Sequence, residues 1–436
     1  MPKNLKEKIK KITPAFLLSL YHLSLSFLSA LFYGFPSRKL TVIGITGTKG
    51  KTTTVELVRS IIAESGAKTA SVSSLRFCVG DKKELNALKM TMPGRFFLQK
   101  FLHRAVKEKC KYAVLEITSE GILQHRHRFI RFQTAVFTNL APEHIERHGS
   151  LAEYRKAKGK LFKACKGKHV VNMDDKNKDY FLKFPAKEKW GFSLKQKEQG
   201  NEKKEIKTVC AENVKIYKEG SFFTIKGQEF NISLKGKFNV YNCVCAISTA
   251  LAQSIPLEVC VRALTKKISM PGRMELVIQQ PFRVVVDLAH TPDSLREVCS
   301  FFAQEPGRLI CVFGCAGGGR DKWKRPIMGR IAAEYCQKII LTNEDAYPEK
   351  PEDIIKSIKE GIKGKGTKKN EAVACYEIVN RREAIRKALI LAQPNDTVLI
   401  SGKGTEQWLY LSDGRKIPWD DRKVVLEEYE RLKKEL

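Results

Sequence analysis

The stretch Leu40 to Thr54, LTVIGITGTKGKTTT, constrains this chain more than any other. Leu40, Val42, Ile43 and Ile45 form a short, nearly continuous apolar run ending in glycines, the pattern of a parallel strand buried on both faces and feeding a phosphate loop. A helix is expected from Thr53. In such a loop Gly44, Gly47 and Gly50 let backbone N–H groups close around a polyphosphate, Lys51 reaches the terminal phosphates, and the Thr52 hydroxyl ligates Mg²⁺. The strict pattern wants glycine where Ile45 stands, so the assignment rests on the order strand, glycines, Lys-Thr, helix. A glycine-rich turn with a surface lysine would not require that order. The ligand implied is a nucleoside triphosphate.

With 436 residues the chain can bury a large core and should divide into two or three domains. Its formal charge of +32 invites a nucleic-acid reading. The lysines are spread along the whole chain, however, and no zinc-finger spacing, RNP aromatic motif or bZIP pattern occurs. The excess is read as a basic proteome or anionic substrates, with no nucleic acid among the partners. Twelve cysteines sit at irregular spacings without paired C-x-x-C motifs, which argues for reduced, buried thiols in a cytosolic protein rather than a structural zinc.

The N-terminal segment leaves three readings open. Lys3, Lys6, Lys8, Lys10 and Lys11 precede a run from Ala15 to Phe35 with no formally charged residue, as in a membrane anchor with a positive flank. Ser19, His22, Ser26 and Ser29 recur at helical spacing and draw a narrow polar stripe, as expected of a helix docked on protein or lying on a membrane surface. A cleaved signal peptide is not expected, because Phe35-Pro36-Ser37-Arg38 leads straight into the nucleotide strand.

After the loop, Val55 to Ser65 reads as a helix. Lys111 to Ile117 reads as a second buried strand delivering Glu116 to its C-terminal end, where ligands gather in open parallel sheets. Thr134 to Leu140 is a third, followed by the polar run holding His144 and His148. Ser193 to Lys207 reads as a solvated linker or hairpin excursion, and the alternating runs up to Ser233 as a small antiparallel patch. Strands at Arg283 to Leu288, Leu309 to Phe313, Lys338 to Thr342 and Thr397 to Ser401 alternate with helical stretches. The expected fold is α/β: an N-terminal helical segment over 1–38, a central P-loop ATPase domain with a parallel sheet over 39–275, and a C-terminal Rossmann-like α/β domain over 276–436.

These ordered motifs resemble the Mur ligase family, most closely its UDP-N-acetylmuramoyl-tripeptide synthetase branch. The matching segments are Gly47 to Thr53, Glu116-Ile117-Thr118-Ser119, Thr138-Asn139-Leu140 with His144, His148 and Gly149, Tyr154 to Lys158, Phe238 to Asn242, Gly272 to Glu275, Asp287 to Pro292, Gly314 to Met328 and Gly402-Lys403-Gly404. The resemblance implies an ATP-dependent ligase in peptidoglycan precursor synthesis: ATP phosphorylates a substrate carboxylate, and the amine of an amino acid attacks the acyl phosphate to form an amide. It implies Lys51, Lys158, His144 and Glu116 as catalytic. Thr52, Glu116, His144 and Lys158, the last as a carbamate, would hold Mg²⁺. Gly47, Thr48, Gly50, Lys51, Thr52 and Thr53 would hold the phosphates, Asn242 the adenine, and Arg273, Asp287 and His290 would approach ATP from the C-terminal domain. Thr91, Pro93, Thr118, Ser119, Arg126, Arg320, Glu344, Asp345, Tyr347, Gly402 and Glu406 are the implied contacts to the UDP-muramoyl peptide and amino acid.

Several positions depart from the family pattern. The forty residues before the strand look nothing like the usual uridine-binding domain, which is expected to be lacking. Thr-Thr-Pro appears as Thr91-Met92-Pro93, Asp-His as Glu143-His144, and Ser-Ser-His as Thr118-Ser119-Glu120. Members that add meso-diaminopimelate carry Asp-Asn-Pro-Arg where this chain has Glu344-Asp345-Ala346-Tyr347, which removes an arginine fork and points to a basic amino acid such as lysine or ornithine. The alternative is that both acids face solvent and selectivity lies near Thr405 and Glu406. Folylpolyglutamate synthetase-like and cyanophycin synthetase-like ligases, and a non-catalytic membrane-recruited nucleotide-binding protein, are the competing readings. The expected location is the cytoplasm, with contact to the inner face of the membrane through residues 1–35 left open.

Overall fold

Val42, Ile43 and Ile45 are fully shielded from water, and the fold of the first half follows from the need to cover both sides of that strand. The computed structural model describes residues 14–88, 90–143, 145–195, 205–319, 321–364 and 373–435. His144, Arg320 and the five N-terminal lysines lie outside them. The described chain divides into two compact units, Met1–Pro142 with His148–Ile268, and Ser269–Leu436 with Glu143–Arg147. The boundary expected from sequence is near residue 275.

The first unit opens with helix α1 (Ala15–Phe32). Strand β1 (Thr41–Thr46) leads through the glycine loop into α2 (Lys51–Glu64), which begins two residues before the expected Thr53. Strands β2 (Thr69–Val72), β3 (Arg76–Val79) and β4 (Lys82–Leu85) precede α3 (Arg95–Lys107). β5 (Tyr112–Glu116) and β6 (Phe132–Phe137) follow, then α4 (Leu151–Ala164), and after it β7 (Lys168–Asn172), β8 (Glu188–Ser193) and β9 (Ile206–Cys210). The sheet order is β4-β3-β2-β5-β1-β6-β7-β8-β9, with β1 paired in parallel to β5 and β6. The pairing aligns Ile45 with Glu116, so the carboxylate leaves the sheet beside the loop that follows β1.

β8 and β9 pair in parallel; between them, residues 196–204 of the stretch expected to be a solvated linker or hairpin excursion lie outside the described residues. The antiparallel patch is present as β10 (Glu212–Ile216), β11 (Ser221–Ile225) and β12 (Gln228–Ile232), with Phe223 and Phe230 stacked at 5.0 Å. Helix α5 (Lys237–Ala252) then packs on α2.

Helix α1 turns its polar stripe toward the protein. Ser26 donates to the His125 carbonyl at 3.0 Å, Ser19 and the His125 ring lie 2.8 Å apart, and Arg95 meets the His22 ring at 2.8 Å. Desolvation, with Lys160, Arg128 and Arg95 nearby, lowers the pKa of His125 and favours its neutral ring. Among the described residues no helix is long and apolar enough to cross a membrane.

The second unit is built on β13 (Glu275–Ile278), β14 (Arg283–Asp287), β15 (Leu309–Phe313), β16 (Lys338–Leu341), β17 (Ala374–Glu377) and β18 (Thr397–Ser401), in the order β13-β14-β18-β15-β16-β17. All neighbours are parallel except β13 with β14. Val284, Val286, Ile310, Val312 and Ile400 are fully buried, as apolar runs covered on both faces must be. All twelve cysteines are free thiols, ten of them buried.

Candidate active site

At the C-terminal end of β1 the chain reverses around Gly47 and Gly50. Gly50 caps α2 with φ +78°, and a Cβ there would lie 2.2 Å from Asn242 Oδ1. A Cβ on Gly47 would lie 1.9 Å from Thr138 Oγ1. Both positions therefore need glycine, one for its backbone and both for space. Gly44 differs from them, because it lies within β1 and a Cβ there would press on Phe132 at 2.9 Å; it admits packing rather than phosphate.

The loop is braced from the β6 side. Thr138 Oγ1 donates to the Lys49 carbonyl at 2.7 Å, Lys49 N donates to Asn139 Oδ1 at 2.9 Å, and Thr48 N to the Asn139 carbonyl at 2.8 Å. Lys51 Nζ donates to the Thr48 carbonyl at 2.8 Å, over the loop itself.

Thr52 and Glu116 meet as expected, with Thr52 Oγ1 donating to Glu116 Oε2 at 2.9 Å. Sequence reasoning missed Ser74, whose backbone N–H donates to the same oxygen at 2.9 Å and whose hydroxyl lies 2.9 Å from that of Thr91. Nothing local marks Ser74, since only sheet pairing carries the turn after β2 to the end of β5. The hydroxyls of Thr52 and Ser74 and the Glu116 carboxylate form an all-oxygen donor set that suits a hard cation such as Mg²⁺.

Lys158 is buried on α4, whose N-terminus is capped by Ser150 accepting from Glu153 N at 3.1 Å. Its Nζ donates to the Gly47 carbonyl at 2.6 Å and lies 4.3 Å from the centre of the Tyr154 ring, one helical turn earlier. Asn242, held by Asn239 at 3.1 Å, closes the other flank of the loop at Gly50. Thr53 is buried in the first turn of α2.

The substrate candidates of the first unit gather nearby. Thr118 caps the short helix Ser119–Leu123 by accepting from Gly121 N at 3.1 Å, and Ser119 Oγ lies 3.1 Å from His148 Nε2. Arg126 donates to the Met92 carbonyl and to Gln124 Oε1, fixing the turn that carries Thr91 and buried Pro93.

In the second unit the candidates lie at the C-terminal ends of the strands. Asp287 accepts from Met274 N at 2.7 Å and Ala289 N at 2.6 Å. Burial raises its pKa, opposed by Arg273. Arg273 donates to the Gly272 carbonyl at 3.0 Å, and His290 Nε2 lies 3.9 Å from Glu143 Oε1. Asp345 and Glu344 are both buried, which removes the alternative that they face solvent. Lys403 Nζ, fully buried and given no role from sequence, donates to Asp345 at 3.0 Å and to Glu406 at 2.6 Å. Asp345 is therefore paired within the protein, sharing the Lys403 ammonium with Glu406. Glu344 Oε2 has no hydrogen-bond partner and faces Gly402, where a Cβ would sit 2.7 Å away. Burial pushes the Glu344 pKa up to about 7. Tyr347, at φ +51°, packs its ring 5.0 Å from that of Tyr410.

Two family models match in order: the Mur ligase middle domain over residues 45–250, and the Mur ligase glutamate ligase domain over 272–404. UDP-N-acetylmuramoyl-L-alanyl-D-glutamate--2,6-diaminopimelate ligase 1 of Clostridium acetobutylicum is 37% identical over 94% of this chain and 82% of its own length. The corresponding ligase of Caldanaerobacter subterraneus is 37% identical over 91% of this chain and 79% of its own. A solved structure of a ligase of that name superposes with a TM-score of 0.59 at 30% identity, covering 90% of this chain and 79% of the other. Folylpolyglutamate synthase of Mycobacterium tuberculosis superposes at 0.69 with 15% identity, over 87% and 92%, a likeness of fold alone. The sequence relatives thus favour the muramoyl ligases over the folyl reading. Given the ordered loop, carboxylate and buried lysine of the first unit and these matches along both, the chain belongs to the Mur ligase family, ATP-dependent ligases that form carbon–nitrogen bonds in peptidoglycan precursor synthesis.

Proposed function

We propose that this enzyme adds an amino acid to a UDP-N-acetylmuramoyl dipeptide in the cytoplasm. The observation that carries the reading is the convergence of Lys51, the Thr52–Glu116 pair and Lys158 on one glycine loop. In the reaction the acceptor carboxylate takes the γ-phosphoryl group of ATP and ADP leaves; the amine then attacks the acyl carbon, expelling phosphate and losing a proton. Mg²⁺, when bound, would neutralise phosphate charge, and Thr52 and Glu116 are the residues to hold it. The backbone N–H groups around Gly47 and Gly50 receive the phosphates, and Lys51 exchanges its bond to the Thr48 carbonyl for a phosphate oxygen.

In this reading Lys158 acts as a carbamate, its amine having combined with carbon dioxide, because an ammonium cannot offer oxygen ligands. Arg126 and Thr91 position the acceptor, and Glu344 receives a cationic group of the incoming amino acid. Peripheral membrane contact through residues 1–35 belongs to the same reading. Incubation with ATP, Mg²⁺, UDP-muramoyl dipeptide and an amino-acid mixture, read by product mass and ADP release, tests it. Release of ADP without a new peptide product would overturn the assigned acceptor.

A further inference from the structure

A surface helix of a soluble protein normally buries its apolar face and gives its polar face to water. Helix α1 does the opposite. Ser19, His22, Ser26 and Ser29 face the protein, Ser26 and Ser29 fully buried. The outer face carries Leu20 at 57% exposure and, two turns on past exposed Ser24, Phe27 at 43%, Leu28 at 50% and Leu31 at 54%, which lie on one side of the helix. Phe129, also exposed, extends it by packing its ring 5.3 Å from that of Phe27. An apolar stripe of this length on a water-facing surface marks an interaction site.

Charge indicates the occupant. Residues 15–39 contain no acid. Arg38 and Lys39 stand exposed just past the helix end, and exposed Arg128 lies close enough to act on His125 beneath α1. The preceding twelve residues carry five lysines and one glutamate. A second copy of this chain would bring a like-charged rim against this one, whereas an anionic bilayer offers both an apolar interior and compensating charge.

We propose that α1 docks the enzyme on an anionic membrane surface, with Leu20, Phe27, Leu28 and Leu31 entering the headgroup–acyl boundary and Arg38, Lys39 and Arg128 meeting the headgroups. This deepens, and rests on, the membrane contact named under the proposed function. The helix lies in the interface rather than across it, because its inward stripe is spent on hydrogen bonds to the protein.

The test is cosedimentation of the full chain with phosphatidylcholine vesicles, with and without phosphatidylglycerol, at low and high salt. One variant joins Leu20→Gln, Phe27→Gln, Leu28→Gln and Leu31→Gln; another joins Arg38→Glu, Lys39→Glu and Arg128→Glu. Wild type should pellet with the anionic vesicles, more weakly in high salt, and each variant should lose about tenfold or more in partitioning. Thermal melting and ADP release with soluble substrates should stay unchanged, showing that the variants are folded. Equal binding by the Gln variant overturns the proposal. So does a wild type that ignores vesicles but forms a dimer the Gln variant abolishes, which would give this face to a second copy. Absent ADP release with intact vesicle binding would sink the catalytic reading and support the docking one.

Discussion

Lys158 Nζ donates to the Gly47 carbonyl at 2.6 Å, joining α4 to the phosphate loop across 111 positions of sequence. The bond places a buried amine where the proposed reaction needs an anionic oxygen ligand. Lys158→Ala should lower turnover by about 10²–10³-fold, the range for losing one preorganised electrostatic group. Lys158→Arg should be equally inactive, and a small added carboxylate should restore part of the Ala variant's rate. Steady-state ADP release measures all three; an active Arg variant would mean that the cation, not a carbamate, does the work.

Gly50 and Gly149 share φ +78°, but a Cβ on Gly149 meets nothing within 4 Å whereas one on Gly50 meets Asn242. Both Ala variants should lose roughly 1–3 kcal/mol from left-handed backbone strain. Gly50→Ala alone should also weaken nucleotide binding, by about tenfold if the loop shifts enough to lose one charge-assisted hydrogen bond. Chemical denaturation and nucleotide titration of the two variants separate strain from the loop effect.

Glu344 makes folding stability pH-dependent. Its folded pKa, about 7, exceeds the ordinary 4.5, so between those values the folded chain keeps a proton that the unfolded chain has lost. Stability should therefore fall as pH rises through that window and level off above it, by on the order of 3 kcal/mol at most. Glu344→Gln should remove this component of the pH dependence and be the more stable form above pH 7. Urea midpoints at the two ends of the window provide the check.

Arg381 is fully buried and holds Asp421 through two bonds of 2.9 and 2.8 Å, while donating to the Ser401 carbonyl at 2.8 Å. Asp421→Ala leaves that guanidinium without its counter-charge and should cost about 3–5 kcal/mol. A melting temperature close to wild type would show that water reaches the site.

In the proposed reaction the incoming amino acid would meet Tyr347 and Glu344 where an arginine fork would otherwise grip a distal carboxylate. Losing that charge-assisted pair is worth about 1.5–3 kcal/mol, or roughly ten- to a hundred-fold in discrimination. A competition among lysine, ornithine, alanine and meso-diaminopimelate should favour the basic pair. Strong preference for meso-diaminopimelate would show that another cation has replaced the arginine.

What the amino-acid order determined by itself is local. The apolar run before Gly47, the glycines, Lys51-Thr52 and the strand ending on Glu116 are contiguous signals, because a doubly covered parallel strand and a phosphate loop each impose composition within a few residues. β1, β5 and β6 of the first sheet and β14, β15, β16 and β18 of the second were legible for the same reason, whereas β2, β3, β4, β7, β8, β9, β13 and β17 carry no such run and emerged only with the sheet pairing. Tertiary structure alone decided what meets across long separations. Ser74 reaches Glu116, Lys403 pairs with Asp345, and Arg381 pairs with Asp421, each through sheet register or helix packing that no local pattern records. Helix α1 shows the limit most plainly: its stripe of Ser19, His22, Ser26 and Ser29 was readable, but which side faced the protein depended on the polar partners that His125 and Arg95 supply from far along the chain.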